Sequence, residues 1–431
     1  MLGRAIGPEE ADRLLAWLEG AQGVALAVSG GADSVALMRL YAAWRDRRRP
    51  GVPSVVLTVD HGLRPDSARE AAQVARWAAD LGLAHELLTW TGDKPATGIQ
   101  AAARRARYRL MRARCVSLGL THLITAHHLD DQAETVLMRA ARGSGLDGLA
   151  AMAAQVPLGG PMLVRPLLEI PKSRLLATLD ELGQTWVDDP SNDDRRFVRA
   201  RWRRLMPALA AEGLTPERLG ELARRAGRAR AALEAAADAL CRQAVCADAA
   251  GFCRLDARAL TEASEDTGLR VLSRVVRGAA GAERAPRQHR LERLYAALAA
   301  HAQGAPFPGA TLGGCRLMPT GQGIVALRED GRCPPQTVRL TPRESLLWDG
   351  RFRISADDIA PRAVVRPIGA EGVAALRRNS ALRPMPVAAA RISAGIFIGD
   401  ELHAAPHLEA EPGRYSPPGL KVRFIGAGGT G

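Results

Sequence analysis

Val28-Ser29-Gly30-Gly31-Ala32-Asp33-Ser34 stands between an apolar run, Ala25–Val28, and an amphipathic stretch that reads as a helix from about Asp33. Two adjacent glycines let the backbone turn tightly and approach a ligand. Ser29 and Ser34 add hydroxyl donors, and the N-terminus of the following helix presents N–H groups that have no partner within the helix. The stretch is predicted to cradle phosphate. Asp33 is unexpected beside an anion, so a divalent cation shared between its carboxylate and the phosphates is the simplest reconciliation. A plain helix N-cap after a glycine turn uses the same residue types but does not require both glycines and both serines.

Outward from this loop, short apolar runs alternate with amphipathic stretches. Residues 24–28, 54–59, 84–90 and 122–125 read as strands, and 33–47, 66–82, 99–118 and 129–142 as helices. Such β-α alternation predicts an α/β fold with a doubly wound parallel sheet, whose ligands sit beyond the carboxyl ends of the strands. Other motif readings fail on chemistry. A Walker loop needs Gly-Lys, and the three lysines follow Asp93, Pro171 and Leu420. A hydrolase elbow at Ser29 normally comes after several strands, whereas one precedes it here. Gly426-Ala427-Gly428-Gly429-Thr430-Gly431 satisfies a dinucleotide pattern but has no helix after it, so it reads as a flexible tail.

Two further clusters fall at predicted strand ends. Val59-Asp60-His61-Gly62-Leu63-Arg64 places Asp60 and His61 within reach of a nucleoside or reacting phosphate, although a strand-end turn with Asp66 as N-cap accounts for the same residues. In His127-His128-Leu129-Asp130-Asp131-Gln132-Ala133-Glu134-Thr135, a helix from Leu129 projects Asp131 and Glu134 at i,i+3 and Asp130 and Glu134 at i,i+4, suiting a metal or an ammonium group. The competing expectation is a capping box with Asp130 as cap and Glu134 reaching back. The helix Ala101–Arg114 carries arginines around much of its circumference, including Arg104 and Arg107.

The 59 Lys+Arg against 46 Asp+Glu give a net charge of +13, and 56 of the 59 basic residues are arginine. A polyanionic partner is favoured, although a GC-rich genome enriches arginine whatever the function. Aromatic residues make up only 4%, too few for a base-stacking platform as the main binding device. Hydrophobic residues are 47%, the level of an ordinary globular chain. No run approaches the roughly 18 apolar residues of a membrane helix, and the first residues lack a signal-peptide layout, so no membrane partner and a cytoplasmic protein are expected.

The chain has 431 residues, which at roughly 100–200 per domain predicts two or three domains. From about Thr215 to Ala300, Ala, Leu and Arg recur at helical spacing, while later segments such as Cys315–Met318, Gly323–Leu327 and Ala394–Gly399 read as strands. The expected organisation is a catalytic domain over 1–205, a mainly helical domain over 206–345 and a small α+β domain over 346–431. The cysteines form no C-x-x-C pair, and Cys241, Cys246 and Cys253 read as three small buried thiols.

Ser29-Gly30-Gly31-Ala32-Asp33-Ser34 resembles the PP-loop of the N-type ATP pyrophosphatases. The clusters at 59–64 and 127–135, with Arg104, Arg107-Tyr108, Arg139, Arg142-Gly143, Arg165-Pro166-Leu167-Leu168 and Asp189-Pro190-Ser191-Asn192, resemble the bacterial tRNA(Ile)-lysidine synthetases. The likeness spans about 20–205, and 366–406 resembles a divergent form of that family's C-terminal domain. Arg199-Ala200-Arg201 stands where the family usually has Arg-Asn-Arg.

This resemblance implies an enzyme that joins lysine to C2 of the wobble cytidine of a tRNA(Ile) with a CAU anticodon, through an adenylated intermediate. It implies ATP bound by Ser29, Gly30, Gly31, Ala32, Asp33 and Ser34, and Mg²⁺ on Asp33. Asp60 and His61 would lie near the nucleoside, and Asp131 and Glu134 at lysine or a metal. Arg104, Arg107, Arg199 and Arg201 would meet ATP or tRNA phosphates. The partners are then tRNA, L-lysine and, as an open oligomeric state, a second copy in a homodimer. A PP-loop tRNA thiolase shares the ATP loop but needs a cysteine relay. A non-catalytic RNA-binding protein explains the arginines and leaves the acidic cluster unexplained.

Overall fold

The computed structural model describes residues 3–426 apart from 63–66, 93, 96–97, 189–197, 322, 332–333, 380, 412–415 and 418. The chain divides into two compact units, Met1–Arg230 and Ala231–Gly431.

The first unit runs α1 (Pro8–Leu15), β1 (Val24–Ala27), α2 (Ala32–Arg48), β2 (Ser54–Asp60), α3 (Ser67–Asp80), β3 (Ala84–Thr89), α4 (Ile99–Ser117) and β4 (His122–Ile124). It continues with α5 (Leu129–Ala140), α6 (Leu146–Leu149), β5 (Gln155–Pro157), β6 (Met162–Val164), α7 (Lys172–Glu181), α8 (Val198–Ala211) and the start of α9 (Pro216–Ala244). Its six strands lie in the order β3-β2-β1-β4-β6-β5, parallel except for the antiparallel pair β5–β6. β1 pairs with β2 on one side and β4 on the other, so the strand order reverses there and opens a crevice at their carboxyl ends.

The two-residue period of β1 splits the core. Val24 and Leu26 join a cluster with Leu37, Met38, Tyr41 and Trp44 of α2, whereas Ala25 and Ala27 face Met111 and Cys115 of α4. Helices thus cover both sheet faces, as the alternating pattern predicts. β5 and β6 are too short, at three residues each, to leave a periodic signature. Helix α8 lays Trp202, Met206 and Leu209 against Ala133, Val136 and Leu137 of α5, and this packing fixes which α8 residues meet the acidic helix.

In the second unit, the end of α9 is followed by β7 (Val245–Asp248), β8 (Phe252–Leu255), α10 (Ala257–Glu262), α11 (Glu265–Ala280), α12 (Gln288–Ala302), β9 (Ala310–Leu312), β10 (Cys315–Thr320) and β11 (Gly323–Arg328). These strands form an antiparallel sheet in the order β7-β8-β11-β10-β9. The stretch Thr215–Ala300, expected to be helical throughout, therefore contains a hairpin. Cys241 and Cys253 are buried as expected, but Cys246 is exposed because it lies on edge strand β7.

The remaining elements are β12 (Val338–Arg339), β13 (Ser345–Trp348), β14 (Phe352–Ser355), β15 (Ala363–Pro367), α13 (Gly369–Arg378), α14 (Val387–Arg391), β16 (Ala394–Ile398), β17 (Glu401–Ala404) and β18 (Lys421–Phe424). They build a four-stranded sheet, β12-β15-β16-β17, and a three-stranded sheet, β13-β14-β18. Among the described residues, no helix is long and apolar enough to cross a membrane.

Candidate active site

The 28–34 loop closes upon itself. Gly30 has φ +92°, a left-handed conformation that L side chains rarely adopt, and a Cβ there would lie 3.4 Å from Val187 and Val74. Its carbonyl accepts the Val187 N–H at 2.9 Å. Gly31 is extended (φ −70°, ψ 158°) and caps α2. The Ser34 hydroxyl accepts the Ser29 N–H at 3.2 Å and donates to the Gly31 carbonyl at 2.9 Å, so in this state it staples the loop. The first turn of α2 opens at the β1/β4 crevice, with the N-terminal end of the helix dipole toward any bound anion.

Across the crevice, β4 ends at Ile124 and the chain passes through His127 and His128 into α5. His128 is buried and is the N-cap residue of α5. Its Nε2 lies 3.4 Å from Asp33 Oδ2 and 3.6 Å from Asp131 Oδ2, and its Nδ1 3.5 Å from Asp130 Oδ2. Burial opposes protonation, but the surrounding Asp130, Asp33 and Asp131 carboxylates push the imidazole up to about 10, so it is a cation at neutral pH. The expected capping box is relocated: Asp131, not Glu134, reaches back to the His128 N–H at 3.2 Å, while Asp130 accepts the Lys172 N–H at 2.9 Å. His127 goes the other way. Burial, reinforced by Arg165, Arg104 and Arg107 and opposed by Asp131, pushes it down to about 3, and its Nδ1 lies 3.0 Å from Thr125 Oγ1.

Burial alone would raise the Asp33 carboxyl. The hydrogen bond and charge of His128, together with Lys172 and Arg203, hold it below the usual range. Asp33 Oδ2 also lies 3.9 Å from Lys172 Nζ, whereas Oδ1 is buried with no hydrogen-bond partner among the described residues. Glu134 is buried to 1% exposure; burial raises its carboxyl, and Arg203 Nε, donating to Oε1 at 2.8 Å, opposes that rise. Arg199 stands 4.0 Å from Asp131.

A cavity of about 370 Å³ opens here, lined by Ser29, Gly31, Asp33, Ser34, Arg104, Arg107, His127, Asp131, Lys172, Arg199 and Arg203 among others. Five of the lining side chains are cationic (Arg104, Arg107, Lys172, Arg199, Arg203) and two are carboxylates (Asp33, Asp131), a balance suited to a polyphosphate. Arg104 lies over the Tyr108 ring at 5.2 Å, and burial lowers the pKa of Arg107.

The other expected residues stand apart from this lining. Gly30 and Ala32 shape the loop backbone, Glu134 lies behind the cavity wall, and Arg201 is exposed. Asp60 accepts the Gly62 N–H at 2.7 Å, and His61 packs edge-on to Trp90 with ring centres 6.0 Å apart at the end of β2, where the charge of the lining residue Arg107 reaches it. Leu63, Arg64, Asp66 and Asp189-Pro190-Ser191-Asn192 lie outside the described residues. The sequence reading missed His127, His128, Lys172 and Arg203 as site residues. The histidine doublet was a usable signal for the first two, and the rarity of lysine for the third.

The His128 cation makes a testable contribution to stability. Its pKa in the folded state lies above that of an ordinary imidazole, so its stabilisation is complete below about pH 6.5 and is lost as pH rises toward 10. Urea unfolding of the wild type is expected to weaken across that window relative to His128→Gln. Parallel profiles would remove the imidazolium.

A PP-loop domain family model matches residues 8–209. The chain is similar to tRNA(Ile)-lysidine synthase of Rhodopseudomonas palustris, 47% identical over 344 residues, which are 78% of this chain and 98% of that protein. The Methylobacterium sp. protein of the same name is 50% identical over 325 residues, covering 73% of this chain and 92% of its own. That of Ruegeria pomeroyi is 39% identical over 381 residues, 88% and 87% respectively.

Proposed function

The chain belongs to the tRNA(Ile)-lysidine synthase family, and from that premise we propose that its N-terminal cavity joins lysine to the wobble cytidine of tRNA(Ile) at the expense of ATP. In the first half-reaction the cytosine C2 oxygen attacks the α-phosphorus and the bond to the β-phosphate oxygen breaks, releasing pyrophosphate. In the second, the lysine ε-amine attacks C2, loses a proton, and the C2–O bond breaks with AMP carrying the oxygen away. Adenylation turns a poor leaving group into a good one.

The carrying observation is the pairing of five cations and two carboxylates around a glycine loop at the β1/β4 switch point. Ser29, Gly31 and the first turn of α2 suit the phosphates. Arg104 and Arg107 extend the basic wall, and Asp131 suits the lysine ammonium. Among the described residues no group of three or more His, Cys, Asp or Glu has a metal-holding arrangement. Asp33 Oδ1, buried and unpartnered, fits the more usual Mg²⁺ site made of one carboxylate plus substrate phosphates. When bound there, Mg²⁺ would neutralise charge on the departing pyrophosphate.

The test is incorporation of labelled lysine into tRNA(Ile) bearing a CAU anticodon, together with tRNA-dependent pyrophosphate release. Neither product would form if the assignment is wrong. A thiolase reading is disfavoured by Cys115, the single cysteine before residue 241: it is packed against the sheet, and burial pushes its thiol up to about 11.

We assign the unit Ala231–Gly431 a share of tRNA binding. The register of β13, β14 and β18 places Arg353 beside Arg423 and Ser355 beside Lys421, and all three basic residues are exposed. Reversing these three charges in the full chain is expected to reduce the slope of log affinity against log salt by about 0.7–0.9 for each phosphate no longer neutralised. An unchanged slope would remove this face from the tRNA interface.

A further inference from the structure

We propose that the groove between α12 and β9 holds the unpaired 3′ end of the tRNA, gripping its phosphates with Arg290 and Arg293 and reading the amino groups of its bases. This rests on the tRNA-dependent function given above and concerns a site lying wholly within the unit Ala231–Gly431.

The groove has a volume of about 1080 Å³. That exceeds the roughly 300–1,000 Å³ of small-molecule pockets, so a short stretch of chain fits it better than one metabolite. One wall is a face of α12, where Arg290, Arg293, Ala297 and Ala300 recur at helical spacing and all four are exposed. The opposite wall is formed by residues 306–309 and β9. Phe307 is buried in the core there, so the groove offers small side chains rather than an aromatic platform. β9 pairs only with β10 and is the edge of its sheet, which leaves main-chain N–H and C=O groups along its other edge without a strand partner. Thr311 adds an exposed hydroxyl.

The charge of the groove selects an anion. Residues 284–293 carry Arg284, Arg287, Arg290 and Arg293 against the single carboxylate Glu292. Among the described residues, the side chains of Arg290 and Arg293 make no hydrogen bond or ion pair. Arg328, the third arginine of the lining, is committed to the fold: it donates to the Ala280 carbonyl at 2.5 Å and pairs with Asp349 at 3.1 Å.

A paired RNA strand hides its base edges in the duplex, whereas an unpaired one exposes faces and edges to small side chains and main-chain groups. Glu329, the carboxylate of the lining, narrows the choice. It repels phosphate but accepts a hydrogen bond from an exocyclic amine, as carboxylates do from cytosine N4. Every base of the C-C-A end shared by tRNAs carries such an amine, and uracil carries none. That end is also not closed into a loop, so it can lie extended between a straight helix and a strand edge.

The experiment uses full-length protein carrying Arg290→Glu with Arg293→Glu, or Ala297→Trp, which fills the groove from an exposed helix position. Each variant is first checked for a wild-type urea midpoint. Three RNAs are compared at several salt concentrations: tRNA(Ile) with a CAU anticodon, the same tRNA without C-C-A, and one ending in U-U-U. Wild-type protein is expected to bind the intact tRNA at least about 10-fold more tightly than either altered form. Both variants should bind all three within about twofold of one another. The charge reversal should also lower the slope of log affinity against log salt for intact tRNA by about 0.7 per single-strand phosphate released. Equal binding of intact and shortened tRNA by the wild type overturns the proposal, and so do variants that weaken all three RNAs while keeping the preference for C-C-A. Equal binding of C-C-A and U-U-U ends overturns the reading of amino groups. If the wild type binds no tRNA, the tRNA-dependent function itself falls.

Discussion

Asp33→Ala is expected to lower tRNA-dependent pyrophosphate release by about 10³-fold while tRNA affinity changes by less than about twofold. The carboxylate has two separable duties. Oδ2 faces His128 at 3.4 Å and Lys172 at 3.9 Å, and Oδ1 stands buried and unpartnered at the mouth of the glycine loop. Removing it leaves His128, a buried cation, with one fewer counter-charge and removes the carboxylate that fits Mg²⁺. Some stability is lost as well, because breaking a buried ion pair strands the partner's charge. Asp33→Asn separates the two effects, since it keeps the shape and a hydrogen-bonding oxygen while losing the charge. It should retain more stability than Asp33→Ala and remain almost as inactive. Ser29→Ala should reduce the rate less, because the Ser34 staple to the Ser29 amide uses the backbone N–H and survives the change. Wild-type pyrophosphate release by both Asp33 variants would show that the loop does not serve ATP.

How much of this site could be read in advance follows from which interactions are local. The glycine loop was legible because it combines a turn only glycine adopts at residue 30 with a strand before it and a helix after it, all within one short stretch. The parallel sheet was legible because β1 is a continuous apolar run, β2 carries the apolar run Val55–Leu57, and the intervening helices keep their period. The hairpin β7–β8 was not. Val245-Cys246-Ala247-Asp248 has little intrinsic β character, and its pairing with 252–255 depends on a sheet completed by strands more than 60 residues later. His128 was overlooked as a charged centre because one of its three carboxylates, Asp33, is 95 residues away in sequence. Arg203 was overlooked for the same reason: its partner Glu134 is 69 residues away, and only the packing of Trp202 and Met206 on α5 brings them together. Asp60 and His61 show the converse. Their motif was conspicuous, and β2 delivers them beside Trp90, outside the cavity lining but within reach of the Arg107 charge.

The two acidic residues of α5 should divide their effects between the half-reactions. Asp131→Asn is expected to raise the lysine KM by at least about 10-fold and leave the ATP KM within about twofold, because Asp131 lines the cavity and an incoming ammonium group has only to displace the loose Arg199 contact at 4.0 Å. Its other oxygen accepts the His128 N–H, a bond that an asparagine carbonyl can still accept, so the start of α5 and the Asp33–His128 contact should be preserved. Glu134 is different. At 1% exposure, and bonded to Arg203, it would act on a bound lysine only through the arginine it positions. Glu134→Gln keeps an acceptor for Arg203 while removing the charge that balances it. It should therefore lower kcat and destabilise the α5–α8 packing more than it shifts the lysine KM. Steady-state kinetics with lysine and ATP varied separately, alongside urea unfolding of each variant, distinguishes these patterns. If both variants raise the ATP KM as much as the lysine KM, the α5 carboxylates belong with the metal and phosphates, and the lysine ammonium must be bound elsewhere in the cavity.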